Sequence, residues 1–348
     1  MKFILNIFFI LSIICLNLYA SKKMDIKITT FDRSEVSKTA NKINNVRMSF
    51  LDLRTNKKIG IREIDLDGKT TNFIPMPKKL LNSSFNYFRW GSVVQYNPKN
   101  DSFFLGLSSY GIVEFSRSAK IINEYKLNNI SHELEITSKG NLLFPYSWSK
   151  ENENQVTEID IKGNVVWSWS ASKFIKKHNL PMSISHREPD SYVASTGATE
   201  LNPDTIIATL SQANAIVYID KKTGNVLDFI NFSENSKRNI RPHTPVVHEG
   251  KLIAYSYRKP NSLKLWDFEK DQFNDIKIID NNAVKKNGGR LSRSLSLQYL
   301  GKNQYFVSNV TKLRQLNADG KEIWVAQTKS IKPLWKGFHS VVRYELKD

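Results

Sequence analysis

A hairpin phrase that returns every 44 to 60 residues constrains this chain more than any other feature. Its clearest copy closes the stretch SHELEITSKGNLLFPYSWSKENENQVTEIDIKGNVVWSWS, which begins at Ser131. Four strand-like runs follow one another there: alternating 133–137, apolar 141–148, alternating 155–160, and 165–170 after the turn Lys162-Gly163-Asn164. Alternating runs joined by such a turn are the strongest short-range hairpin signal. Four antiparallel strands in about 40 residues make one propeller blade. The closing hairpin recurs around Asp65, Ser116, Asp220, Asp267 and Asn317, so successive turns lie 51, 44, 60, 47 and 50 residues apart. Six copies predict an all-β chain folded as a six-bladed β-propeller. A blade buries its faces only against its neighbours, so the ring has to close.

The two ends show how. The first copy, over 45–76, lacks its opening strand, and HSVVRYELKD from His339 reads as an opening strand with nothing after it. Residues 339–346 placed beside 48–53 complete the first blade from both ends, a tie that protects termini from fraying. The other blades fall at 90–127, 132–170, 195–230, 243–279 and 294–327. Residues 21–44 read as a polar lead-in outside the ring, and 45–348 as a single domain. Residues 171–191 are too long for a turn; Ser170 or Ser172 is placed to cap a short helix ending before Pro181, with a loop after it. Trp167, Trp169, Trp266 and Trp324 sit in hairpin strands, where aromatics pack between blades.

Residues 1–20 carry a basic start at Lys2, an apolar run over 3–18 and a small residue at Ala20, the pattern of a secretory signal peptide. The run is short for a membrane span, so no stable insertion is expected after its removal, and the mature chain is expected in the periplasm or secreted. Cys15 is the only cysteine, which excludes disulfides and thiolate metal sites from the mature chain. The net charge of +18 points toward anions, although the lysines are scattered and no nucleic-acid module is present.

His132, His243 and His339 share one address, the start of the first strand of a blade. That strand lines the central channel, so three imidazoles from distant parts of the sequence converge on one mouth. His186, in the long loop, is positioned to join them. A metal site is one use of such a group, but no carboxylate shares the address and no His pair has ligand spacing. No metal and no cofactor are therefore expected. Nucleophilic or acid–base work is the other use. Arg187, Arg241 and Arg293, with Arg258 and Arg290, are candidates to hold an anionic substrate.

HELEITSKGNLLF from His132, EIDIKGNVVWSWS from Glu158, AIVYIDKKTGNVL from Ala215, HTPVVHEGKLIAYSYRKPNSLKLWDF from His243 and the run from Ser294 to Trp324 together resemble the bacterial arylsulfotransferase family of six-bladed propellers, over about 132–327. The resemblance implies nucleotide-independent transfer of a sulfuryl group from an aryl sulfate to a phenol through a sulfohistidine. It places the nucleophile at His243 and an upstream channel histidine at His132. The family's H-x-N blade opening is here Ser195-Thr196-Gly197, its sulfate-binding Arg falls at Ser211 or Gln212, and the Asp after its nucleophile is Thr244. A non-catalytic propeller binding an anionic ligand in the cell envelope is the alternative. A third reading is a lyase or hydrolase acting on a sulfated or carboxylated substrate.

Overall fold

The computed structural model describes residues 26–52, 59–81, 93–108, 110–128, 130–131, 133–146, 149–150, 154–180, 192–193, 195–232, 242–248, 251–256, 263–267, 272–276, 296–308, 312–328 and 339–347. Each repeat forms one antiparallel sheet, and the six sheets are numbered in chain order. Sheet 1 joins His339–Glu345 to Val46–Asp52, Gly60–Ile64 and Thr70–Pro75. Sheets 2 to 5 are four-stranded meanders that open with Val93–Asn97, Glu135–Ile136, Ser195–Asn202 and Pro242–His248. Sheet 6 opens with Leu297–Gly301.

The expectation of a propeller of six four-stranded blades is corrected to five. Five sheets are four-stranded blades, and sheet 6 has five strands. The extra strand is Ile26–Phe31, which pairs antiparallel with Glu322–Thr328, from Ile26 opposite Thr328 to Phe31 opposite Trp324. Residues 21–44 are therefore not an appendage, at least from Ile26 onward. The sequence IKITTF alternates, and Ile26, Ile28 and Phe31 pack on the core between sheets 6 and 1. Asp32 then caps a short helix, Arg33–Ser37, by accepting from the Glu35 amide at 3.1 Å, and Val36 of that helix is fully buried.

Two sequence patterns explain the sheets. Second strands are largely apolar and buried on both faces, as in Ser102–Leu107, Leu142–Pro145 and Gln304–Ser308. The fourth strands alternate and are partly exposed, as in Val165–Trp169 and Val226–Asn231. The turns reuse one device. Side chains of Asp65, Asp160 and Asn317 each accept two amides of their own turn, Asp220 accepts that of Thr223, and Ser116 that of Lys120. Gly68, Gly163, Gly224 and Gly320 take positive φ in four of these turns, where a Cβ would be strained.

Neighbouring sheets hold each other through cores that lie between them. One buried cluster joins sheets 1 and 2, others join 2 to 3, 3 to 4, and 6 to 1. Aromatic donors from a fourth strand reach the hairpin turn of the next sheet. Tyr125 Oη donates to the Ile161 carbonyl at 2.9 Å, Trp167 Nε1 to Lys221 and Trp169 Nε1 to Gly224 at 3.0 Å, and Trp324 Nε1 to Leu66 at 2.8 Å. The expected inter-blade packing is thus observed for Trp167, Trp169 and Trp324, while the Trp266 side chain lies outside those described. The first strands lie innermost: Val93–Asn97 touches both His339–Glu345 and Glu135–Ile136, and Pro242–His248 touches both Ser195–Asn202 and Leu297–Gly301. This is a propeller arrangement.

The C-terminal strand closes it. His339–Glu345 pairs with Val46–Asp52, with His339 opposite Leu51 and Glu345 opposite Val46. Tyr344 stacks on Tyr96 of sheet 2 at 3.8 Å between centroids and donates its hydroxyl to Glu63. Arg117 bonds the same carboxylate at 2.6 Å, tying sheet 2 to sheet 1. Glu345 accepts the Asn41 amide at 3.0 Å, which fastens the segment entering sheet 1. Between sheets 3 and 4, Ser172–His178 forms the expected short helix, with Ala171 rather than a serine as its N-cap.

Tyr344→Phe removes the hydroxyl from a buried carboxylate while keeping the ring stack. We expect a loss of about 1–3 kcal/mol in urea unfolding, with an unchanged far-ultraviolet circular dichroism spectrum. Wild-type stability in this variant would show that the Glu63 contact does not secure the closure.

Candidate functional site

His243 stands second in the opening strand of sheet 5, opposite Tyr255, and His339 stands first in the strand that opens sheet 1. Both therefore occupy the innermost strand starts expected of them. His132, His186, Arg187, Arg241 and Arg293 lie outside the described residues, as do Arg258 and Arg290. His178 packs its ring against Phe174 and Phe229, on the short helix away from these strand starts.

The backbone around His243 is irregular. The pairing with the second strand of sheet 5 slips between His243 and Val246. Inside that bulge Thr244 adopts φ of 50°, a left-handed conformation that a β-branched residue rarely takes. Pro245, which follows, has no amide hydrogen to give to a ladder. Bulges of this kind re-aim side chains and are enriched beside active sites.

Hydroxyl groups hold the strand on one side. The Pro242 carbonyl, immediately before His243, accepts from Ser211 Oγ at 2.6 Å and from Thr196 Oγ1 at 3.0 Å. Thr209 bonds Thr196 at 3.0 Å, and all three hydroxyl residues are buried. The positions at which the resemblance sought a blade-opening H-x-N and a sulfate-binding Arg thus include Thr196 and Ser211, both bonded to backbone.

Carboxyl groups crowd the other side. The Glu133 carboxyl, just ahead of the first strand of sheet 3, lies within reach of the Thr244 hydroxyl of sheet 5. Its path crosses Gly197 of sheet 4, where a Cβ would collide with the Glu133 carboxyl and the Pro245 ring. Desolvation holds the Glu133 carboxyl well above the usual carboxylate range; the Thr244 bond opposes the shift and the nearby Glu135 adds to it. Glu135 is raised to about 7, chiefly by desolvation, against hydrogen bonds from Thr199 and the Glu200 amide, and with the Glu200 charge adding to the rise. The Glu200 amide donates to Glu135 at 2.9 Å, and the Ser138 amide donates to Glu200 at 3.1 Å. Sequence reasoning missed these acids. Their signal was the i, i+2 spacing of Glu133 and Glu135 in HELEI, which puts two carboxylates on one face of a strand. Among the described residues, no group of three His, Cys, Asp or Glu side chains is arranged to hold a metal ion.

A carboxyl whose folded pKa is raised favours folding in its protonated form. Its contribution is complete below the unfolded value of about 4.3 and is lost as pH rises through about 7, the folded value for Glu135. Thermal melts should therefore show the wild-type midpoint falling across that interval, with a shallower fall in Glu135→Gln. Equal slopes for the two proteins would show that Glu135 is ionised in the fold.

Comparison with known proteins agrees with this architecture. A solved structure of a protein of unknown function from Bacteroides caccae is 13% identical with a TM-score of 0.58, covering 86% of this chain and 98% of its own. A catalytically inactive variant of virginiamycin B lyase from Staphylococcus aureus, solved with quinupristin, is 12% identical with a TM-score of 0.50, covering 89% of this chain and 90% of its own. At such identities the likeness is one of fold. No curated protein matches the chain. No helix among the described residues is long and apolar enough to cross a membrane. The arylsulfotransferase (ASST) family model matches residues 34–235, more than half of the chain and ending eight residues before His243; the chain belongs to the arylsulfotransferase family.

Proposed function

We propose that this chain is an exported, arylsulfotransferase-like enzyme that moves a sulfuryl group from an aryl sulfate to a phenol through a covalent intermediate on His243. Family membership supports the class of reaction. The observation that carries the choice of residue is the position of His243, on an innermost strand start and beside a bulge. Export rests on the signal-like pattern of residues 1–20.

In this reading a ring nitrogen of His243 attacks the sulfur of the aryl sulfate. The S–O bond to the ring breaks, and the phenolate leaves and takes up a proton. The acceptor phenol then loses its proton as its oxygen attacks the same sulfur, and the N–S bond breaks to restore the imidazole. The transferred group stays anionic throughout, so cationic donors aimed at its oxygens would stabilise both steps. Arg241, Arg293, Arg187 and His186 are the candidates for that role, with His132 and His339 as further channel histidines. No nucleotide and no cofactor take part.

One observation favours the second reading, an envelope propeller that binds an anion without chemistry. Thr196 and Ser211 bond the backbone of sheet 5 from the region where the family resemblance sought its Arg. The test is turnover of p-nitrophenyl sulfate by the purified mature chain, with and without phenol, and mass spectrometry of the quenched protein. We expect nitrophenol release, a sulfuryl adduct on His243, and at least a 10²-fold loss in His243→Ala, the range for removal of a nucleophile or its activating base. A folded protein with neither release nor adduct would favour the binding propeller.

A further inference from the structure

Thr244 is held in an unfavourable conformation directly after the proposed nucleophile. A β-branched side chain at φ of 50° persists only where its surroundings over-determine it. The hydroxyls of Thr196 and Ser211 fix the carbonyl before His243. They leave the residue after it unexplained.

We propose that Glu133 is the positioning residue of this site: its carboxyl passes Gly197 and bonds the Thr244 hydroxyl, fixing the bulge that presents the His243 imidazole. The inference rests on the reading of His243 as nucleophile. Three sheets contribute to the contact, since Glu133 belongs to the repeat of sheet 3, Gly197 to sheet 4 and Thr244 to sheet 5. The glycine is needed, because any larger residue at 197 would fill the space taken by the carboxyl and by the Pro245 ring. Glu133 Oε1 is closed off from solvent and has no hydrogen-bond partner among the described residues, so the group is poorly paid in polar contacts for its location. Such a group is kept in place by function more readily than by stability.

The acids around Glu133 strengthen the case. Glu135 lies near enough to disfavour a charge on Glu133, and Glu200 acts on Glu135 in the same way. A neutral Glu133 accepts a hydrogen bond without placing a full negative charge beside an incoming sulfate ester. Glutamine would serve equally well, and alanine would not.

The test compares wild type with Glu133→Gln, Glu133→Ala and Thr244→Val, each shown folded by its thermal melt. Two readouts are taken: the ring resonances of His243 in the resting enzyme by 13C and 15N NMR of histidine-labelled protein, and the kcat and KM for p-nitrophenyl sulfate. Glu133→Ala and Thr244→Val should displace the His243 resonances and lower kcat by about 10²-fold, the scale of an ångström-sized misplacement, with KM changed less than about threefold. Glu133→Gln should restore both. In a Thr244→Gly background, Glu133→Ala should have no further effect, because glycine adopts positive φ unaided. If Glu133→Ala does not fold, Thr244→Val carries the same comparison. His243 resonances that stay in place in a folded Glu133→Ala or Thr244→Val protein would overturn the proposal. Displaced resonances in a chain whose wild type transfers no sulfuryl group would uphold the positioning and refute the transferase reading instead.

Discussion

Closure of the ring depends first on the pairing of His339–Glu345 with Val46–Asp52. Sheets 2 to 5 are each made from a continuous stretch of chain, so their strand pairing is local and quickly formed. Sheet 1 is different. Its first strand comes from the C-terminal end and its other three from near the N-terminal end, and Glu63 is where the seam is fastened, receiving Tyr344, Arg117 and Thr71 in one buried carboxylate. An ion pair in such a place costs desolvation and is no general source of stability. Its effect here is specificity, because only the closed register brings all these donors to one carboxylate. The added strand Ile26–Phe31 covers the outer edge of sheet 6, which would otherwise expose unpaired backbone beside the seam.

Closure also makes the candidate site possible. The residues flanking His243 are met from outside their own repeat: hydroxyls of sheet 4 bond the Pro242 carbonyl, and the Glu133 carboxyl from the repeat of sheet 3 lies within reach of Thr244. A propeller can place such groups with small tolerance because each sheet is clamped to the next by buried cores and by aromatic N–H or O–H donors reaching a neighbouring turn. The site is a product of sheet-to-sheet geometry, and the strained Thr244 is supported by that geometry.

Much of the fold was legible because its information is local. Asp65, Ser116, Asp160, Asp220 and Asn317 mark turns in the sequence, and the same side chains accept the turn amides in the structure. The orphan strand from His339 was legible for a similar reason, being a repeat fragment missing its remainder. Ile26–Phe31 was missed because it belongs to no repeat, and the polar residues around IKITTF concealed a short alternation. The site divides the same way. A strand-start address for His243 and His339 follows from repeat position. The link from Glu133 past Gly197 to Thr244 joins residues 111 positions apart at its ends, and no periodicity relates them. Nor does a sequence announce a left-handed threonine, since the residue type argues against it.

Amide hydrogen exchange tests the dependence of the site on the seam most directly. It compares the full chain with a chain ending at residue 338, following the strands of sheet 1 and the strand Pro242–His248. If closure supports the site, truncation removes protection from Val46–Asp52 and also lowers it in Pro242–His248, which sheet 6 separates from sheet 1. Protection of Pro242–His248 that survives truncation unchanged would contradict the account and make sheet 5 and its neighbours a self-sufficient unit.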